Sequence, residues 1–266
     1  MKIGFVIPAR LASQRLKNKI LLDLNGKTVL DRVIERAQRV QGVDEVVIAI
    51  ANEPENNIIT KICSAKNIRY FIGDPIDVFK RIKETSDFFG YDYIATITPD
   101  NPLFSTHIVN LMIKEIYNDP NIDYIKIDQD SVPIGSWPYI LNVKLLRTLS
   151  EFKSIINTEI WGVLIKEDFF KVKTLSFKNV YNSKFRLTLD TYEDYLVINK
   201  IYAEILKDKN FVTLDDAIFF LETHPEIAEI NSHVVQKSVN LEIIKQINEM
   251  YAKNADLLKE IKRKYY

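Results

Sequence analysis

A single cysteine, Cys63, among 266 residues excludes an internal disulfide and fits a reducing compartment. Excess charge is missing as well. Thirty-six lysines and arginines meet 36 aspartates and glutamates, so the chain as a whole has no field to draw DNA, RNA or an anionic membrane surface. No apolar run approaches the length that spans a bilayer. The opening residues carry Lys2 and Arg10 around a short apolar stretch, which is not the pattern of a signal peptide. The expectation is a cytoplasmic protein with neither a nucleic-acid nor a membrane partner. The three histidines (His107, His224 and His233) are dispersed without ligand spacing, which argues against zinc. The glycine patterns of P-loops, dinucleotide folds and nucleophile elbows are absent too. Cys63 lies in a helical stretch with no base near it in sequence and reads as a packed thiol.

What is present is an alternation. "KIGFVIPA" is a short apolar strand, and "KTVLDRVIERAQRV" places Val29, Leu30, Val33, Ile34 and Ala37 on one helical face, with Thr28 as its cap. "DEVVIAIA" is a continuous apolar run of the kind buried in parallel sheets. A helix over "PENNIITKICSAKNI", a strand over "RYFIGD", a helix over "PIDVFKRIKETSDFFG", a strand over "DYIATITPD" and a helix over "STHIVNLMIKEIYND" continue the rhythm. Strict alternation predicts a doubly wound, mostly parallel α/β sheet with helices on both faces. From about 124 to 184 the rhythm breaks into short extended pieces ("DYIKID", "SWPYILNV", "EIWGVLI"), read as an antiparallel extension of the same sheet. "FRLTLDTYEDYLVINKIYAEIL" restores strand then helix, and the tail is helical. The expected organisation is one domain over 1–235 with a helical C-terminal appendage over 236–266.

Three features carry possible chemistry. The loop "VIPARLASQRLKNK" leaves the first strand with Arg10, Arg15, Lys17 and Lys19 and no acid among them. Ligands of open sheets bind beyond the carboxyl ends of the strands, where such cations and loop amides suit a triphosphate. Charge alone fits a solvated basic turn equally well. Asp100 closes the strand "YIATITPD", and Asp190 closes the expected strand "FRLTLD". Two acids and a cationic loop on one sheet edge are the minimum for metal-assisted transfer at phosphorus: the acids hold a metal and the cations neutralise developing charge. Glu193 and Asp194 suit the start of the next helix.

The opening resembles the cytidylyltransferase family that activates acidic sugars, whose I-P-A-R-x2-S-x-R-L-x2-K stretch is matched by Pro8, Ala9, Arg10, Ser13, Arg15, Leu16 and Lys19. The chain is most similar to the spore-coat polysaccharide (SpsF-type) branch. The matching segments there are Gly73 with Asp77 and Val78, "PDNPL" at Pro99–Leu103, "RLTLDTYED", and "HPEIAEINSHVVQK". The resemblance implies a Rossmann-like fold of the nucleotide-diphospho-sugar transferase type. It also implies CTP as substrate, Mg²⁺ or Mn²⁺ as cofactor, and transfer of CMP to a sugar-type acceptor with release of pyrophosphate. Pro8, Ala9, Arg10, Ser13, Arg15, Lys19, Gly73 and Asp100 would bind nucleotide, Asp100 and Asp190 the metal, and Arg15 and Lys19 would act on the transition state. Where the branch has P-D-G-x-D-x-E in its middle, this chain keeps Gly135 but places Ser136, Trp137 and Tyr139 where the acids stand, and where the branch has E-H-V-T it has Thr158 and Glu159, which together point to an altered acceptor pocket. Relatives imply a homodimer through this extension, for which the same aromatics are suited. A guanylyltransferase acting on a sugar phosphate and a non-catalytic nucleotide-binding protein stay open at this point.

Overall fold

The computed structural model describes residues 1–13, 15–155, 158, 161–236 and 240–266. Its centre is β1 (Ile3–Ala9), in which every residue is buried. Strands β2 (Glu45–Ala51), β3 (Arg69–Gly73), β4 (Tyr93–Thr96), β5 (Tyr124–Ile127), β6 (Tyr139–Asn142) and β7 (Val172–Leu175) complete one seven-stranded sheet in the order β3-β2-β1-β4-β6-β5-β7. The first four strands are parallel, as their crossover helices require. β6 runs antiparallel to both β4 and β5, and β7 is parallel to β5. The expected antiparallel extension is therefore one reversed strand inserted into the sheet.

Helices cover both faces. On one side α1 (Val29–Ala37), α2 (Asn57–Ala65), α4 (Thr106–Asn118), α6 (Tyr192–Ile205) and α7 (Leu214–Thr223) contribute Val33, Cys63, Met112, Ile198 and Ala217 to one core. The short α8 (Pro225–Ala228) follows on the same side. On the other, α3 (Val78–Phe89), α5 (Val143–Phe152) and α9 (Leu241–Tyr265) bring Phe79, Leu146 and Met250 into a second core. α9 packs along α5 and buries Ile247, Met250, Tyr251, Leu258 and Ile261, each worth about 1.5–3 kcal/mol of burial. Burial pushes the Cys63 thiol up to about 11, in keeping with a packed residue.

Caps fix where the helices start. Thr28 and Asp31 form a reciprocal capping box on α1, Ser105 accepts from the Ile108 amide on α4, and Thr191 and Asp194 form a second box on α6. Among the described residues no helix is long and apolar enough to cross a membrane.

Two expectations are corrected. "FRLTLD" is not a strand: apart from one isolated bridge between Arg186 and Ile134 it is an extended connection into α6. Its amides bond to loops, Leu187 to the Ile134 carbonyl at 2.7 Å and Leu189 to the Asp100 carbonyl at 2.7 Å. The alternation arises because Leu187 and Leu189 are buried in the core while Thr188 and Asp190 line a cavity on the other side. Of the segment "EIWGVLI", whose first two residues lie outside the described residues, Trp161–Leu164 is not extended either but forms a 3-10 turn.

Candidate active site

The carboxyl ends of β1 and β4 open into a cavity of about 620 Å³. Pro8 and Arg15 enter it from the first strand and its loop, Thr96, Thr98 and Asp100 from the end of β4, and Asp190 from the connection before α6. Trp137, Tyr139, Tyr124, Lys126 and Trp161 form the opposite wall.

One side of this cavity is an ion cluster. The Lys19 Nζ donates to Asp100 Oδ2 at 2.5 Å and to Asp190 Oδ1 at 2.9 Å, so one ammonium holds two carboxylates separated by ninety residues of chain. Arg15 pairs with Asp190 Oδ2 at 2.9 Å, and Arg186 donates to the same oxygen at 2.9 Å. Burial opposes the charge of Lys19, but Asp100 and then Asp190 outweigh it and hold its pKa above the ordinary lysine value. Burial likewise opposes ionisation of Asp190, and Lys19, Arg15 and Arg186 together hold its carboxyl below the usual range.

Local structure aims each group. Lys19 opens a 3-10 turn over Lys19–Leu21, entered through Asn18 in a left-handed conformation (φ 53°) and anchored by buried Ile20. Asp100 lies in a turn beyond β4, where Thr98 Oγ1 and Asn101 Nδ2 donate to its Oδ1 at 2.5 and 2.9 Å, leaving Oδ2 to Lys19. Asp194 accepts the Asp190 and Thr191 amides at 3.0 Å each and pairs with Arg186 Nε at 2.8 Å. Arg186 also donates to Gln236 at 2.5 Å, and Asn231 donates to Asp194 at 2.9 Å. Asp194 is thus a helix cap and also the anchor of the arginine that orients Asp190.

The other side is aromatic. Tyr139 and Trp161 meet edge-on with ring centres 4.9 Å apart, Tyr124 lies 6.0 Å from Tyr139, and the Trp137 indole donates to the Tyr139 hydroxyl at 3.2 Å. Gly135 makes the approach possible. Its φ is +88°, and a Cβ there would stand 2.5 Å from the Thr188 amide nitrogen and 2.8 Å from Asn101 Oδ1. Lys126 faces the same space, paired with Glu167 at 2.6 Å. Thr96 Oγ1 is buried at the junction of the two sides with no hydrogen-bond partner among the described residues.

Of the residues singled out from the sequence, Pro8, Arg15, Asp100, Asp190, Gly135, Trp137 and Tyr139 line this cavity, and Lys19 binds two of them. Ala9 is buried in the sheet and Ser13 is half-buried in the loop. Ser136 turns inward: it is fully buried and its hydroxyl donates to the Pro133 carbonyl at 2.6 Å. Gly73 ends the edge strand β3 against Arg81. Arg10 lies close enough to Arg81 that, after burial itself, its charge contributes to lowering Arg81 to about 10. Glu159 lies outside the described residues. Sequence reasoning did not assign roles to Arg186, Gln236, Asn231, Thr96, Lys126 or Tyr124. Arg186, Asn231 and Gln236 stand inside the matched family segments, which was the one signal available.

Two acid oxygens aimed at a single cation are a donor set suited to a hard divalent ion, which takes one or two carboxylates and completes its shell with phosphate and water. An open, mostly parallel sheet with this cluster beyond its strand ends suits a nucleotidyltransferase. A family model described as cytidylyltransferase matches residues 5–250, and the chain belongs to that family. It is 31% identical over 243 residues to an uncharacterised protein of Methanocaldococcus jannaschii, covering 90% of this chain and 98% of that one. It is also 26% identical over 235 residues to the spore coat polysaccharide biosynthesis protein SpsF of Bacillus subtilis, covering 85% and 96%. A cytidylyltransferase of Leptospira borgpetersenii superimposes with a TM-score of 0.79 over 90% of this chain and all of that one, at 24% identity, which marks a shared fold.

Proposed function

We propose that the protein transfers CMP from CTP, with a divalent metal ion, to an acidic sugar or related headgroup used in surface glycan synthesis. The observation that carries this reading is the convergence of Asp100 and Asp190 on one cation beside Arg15 in the cavity. An oxygen of the acceptor bonds to the α-phosphorus, the bond from that phosphorus to the bridging β-phosphate oxygen breaks, and pyrophosphate leaves. The acceptor proton is released to solvent. Asp100 and Asp190 would hold Mg²⁺ or Mn²⁺, which when bound offsets phosphate charge and polarises the phosphoryl group.

The remaining roles belong to the chain's own side chains. Arg15 and Lys19 meet the charge that builds on the departing pyrophosphate. Arg10, Ser13 and the loop backbone around Pro8 and Ala9 hold the triphosphate. Thr98 and Asn101 fix the rotamer of Asp100, and Arg186 does the same for Asp190. Trp137, Tyr139 and Trp161 offer ring faces and edges to the apolar C–H face of a sugar. Lys126 offers a cation to its carboxylate, because its pair with Glu167 is solvent-exposed and such pairs are worth at most about 1 kcal/mol.

Pyrophosphate release with each of the four triphosphates, across sugar acids and neutral sugars with Mg²⁺ or Mn²⁺, tests the reading. Release with CTP and a sugar acid is expected. Silence under every combination removes it.

A further inference from the structure

The space between Asp100 and Asp190 is already filled by the chain itself. The Lys19 nitrogen stands 2.5 Å from one carboxylate and 2.9 Å from the other. These separations approach those at which carboxylates bind divalent ions, about 2.0–2.6 Å. The surrounding charge is balanced without a metal: Lys19, Arg15 and Arg186 face Asp100, Asp190 and Asp194. A bare divalent cation arriving here would add positive charge beside three cations and would have to displace a partly buried ammonium. A triphosphate arriving with the ion brings more negative charge than the ion brings positive, and offers the ammonium new oxygen partners. Lysine is suited to such an exchange. Its ammonium rides on a flexible four-carbon stem, while the turn beneath it stays anchored by Ile20.

We propose that Lys19 is a resident surrogate cation, holding the two carboxylates together in the ligand-free protein and yielding their oxygens when metal and triphosphate enter together. Metal alone therefore binds weakly, and Lys19 passes from the carboxylates to the phosphates as the site fills. This rests on the metal-dependent reading above and adds an order of events to it. It also gives Lys19 a second task besides charge neutralisation, namely to keep two like charges from driving the site apart while it waits.

Binding of Mn²⁺ alone, followed by the paramagnetic resonance signal of the free ion, tests this on the whole chain without any turnover. Lys19→Met exposes both carboxylates and is expected to bind Mn²⁺ at least about tenfold more tightly than the wild type. Adding Asp190→Asn to Lys19→Met should abolish that gain, which locates the ion between the two acids. Mn²⁺ should also raise the melting temperature of Lys19→Met by several degrees and leave that of the wild type almost unchanged. Lys19→Gln serves in the same assay if the methionine variant melts below the assay temperature. Equal Mn²⁺ affinity in the wild type and both Lys19 variants overturns the surrogate role and leaves the metal site standing. Failure of every protein to retain Mn²⁺ even with CTP present overturns the metal reading and this inference with it.

Discussion

The two walls of the cavity are made of different materials. The wall built from the first loop, the β4 turn and the connection before α6 is an ion network in which each carboxylate has at least two donors. The wall built from β5, β6 and the Trp161 turn is held mainly by ring contacts and an indole-to-hydroxyl bond, with the Lys126–Glu167 pair at its exposed rim. The first wall coincides with the segments that match the cytidylyltransferase pattern. Trp137, Tyr139 and Trp161 of the second lie in the two segments where the sequence departs from the SpsF-type pattern, although the family model spans both walls. A charge network tolerates little change, because removing one buried partner leaves the others uncompensated. An aromatic wall can be repacked while the sheet beneath it stays intact. Under the proposed function, the reacting apparatus and the choice of acceptor are separable in this chain.

The largest effect that could break this separation lies under the charged wall. Arg186→Met leaves Asp194, which has no exposed surface, without its guanidinium and should cost about 3–5 kcal/mol of stability, measured by urea denaturation. A cost below about 1 kcal/mol would show that the network is ornamental. Asp100→Asn and Asp190→Asn come next. Each should lower the rate of CTP-dependent pyrophosphate release by about 10²–10³-fold while circular dichroism stays native. Unchanged release in either removes that acid from the reaction.

Between the two walls stands Gly135, where Gly135→Ala should destabilise by about 1–3 kcal/mol, because its Cβ would collide with backbone at a φ that alanine disfavours. On the aromatic wall, Trp137→Ala should raise the KM for the acceptor about tenfold, or ~1.4 kcal/mol, with the KM for CTP unchanged. If both constants move together, the walls are not separable. The smallest effect is expected at exposed Lys17, where Lys17→Ala should stay within about 0.5 kcal/mol of wild type and keep its turnover.

Local grammar was legible in the sequence. Thr28 caps the helix it was expected to cap, and the apolar runs of β1 and β2 are central strands, because these features depend on neighbours a few residues away. The cluster itself was only half legible. Arg15, Lys19, Asp100 and Asp190 could be named from residue type and position. That Lys19 joins both acids could not, since it depends on how two turns distant in the chain approach each other. The strand expected at Phe185–Asp190 failed for a related reason. Its apolar alternation records which side faces the core, and nothing in that pattern says whether a neighbouring strand is there to pair with. Lys126 was placed in a strand, but the direction of its side chain into the cavity is a property of the sheet's register.

The chain has two tryptophans, Trp137 and Trp161, and both line this one cavity. The near-ultraviolet emission of the entire molecule, excited at the red edge where tyrosine is silent, is therefore an optical record of a single wall. A ligand that docks against that wall changes the polarity around both emitters, and one confined to the far side leaves them largely undisturbed. Acceptor candidates can thus be ranked by titrating them into unlabelled, unmodified protein, before any assay of turnover exists.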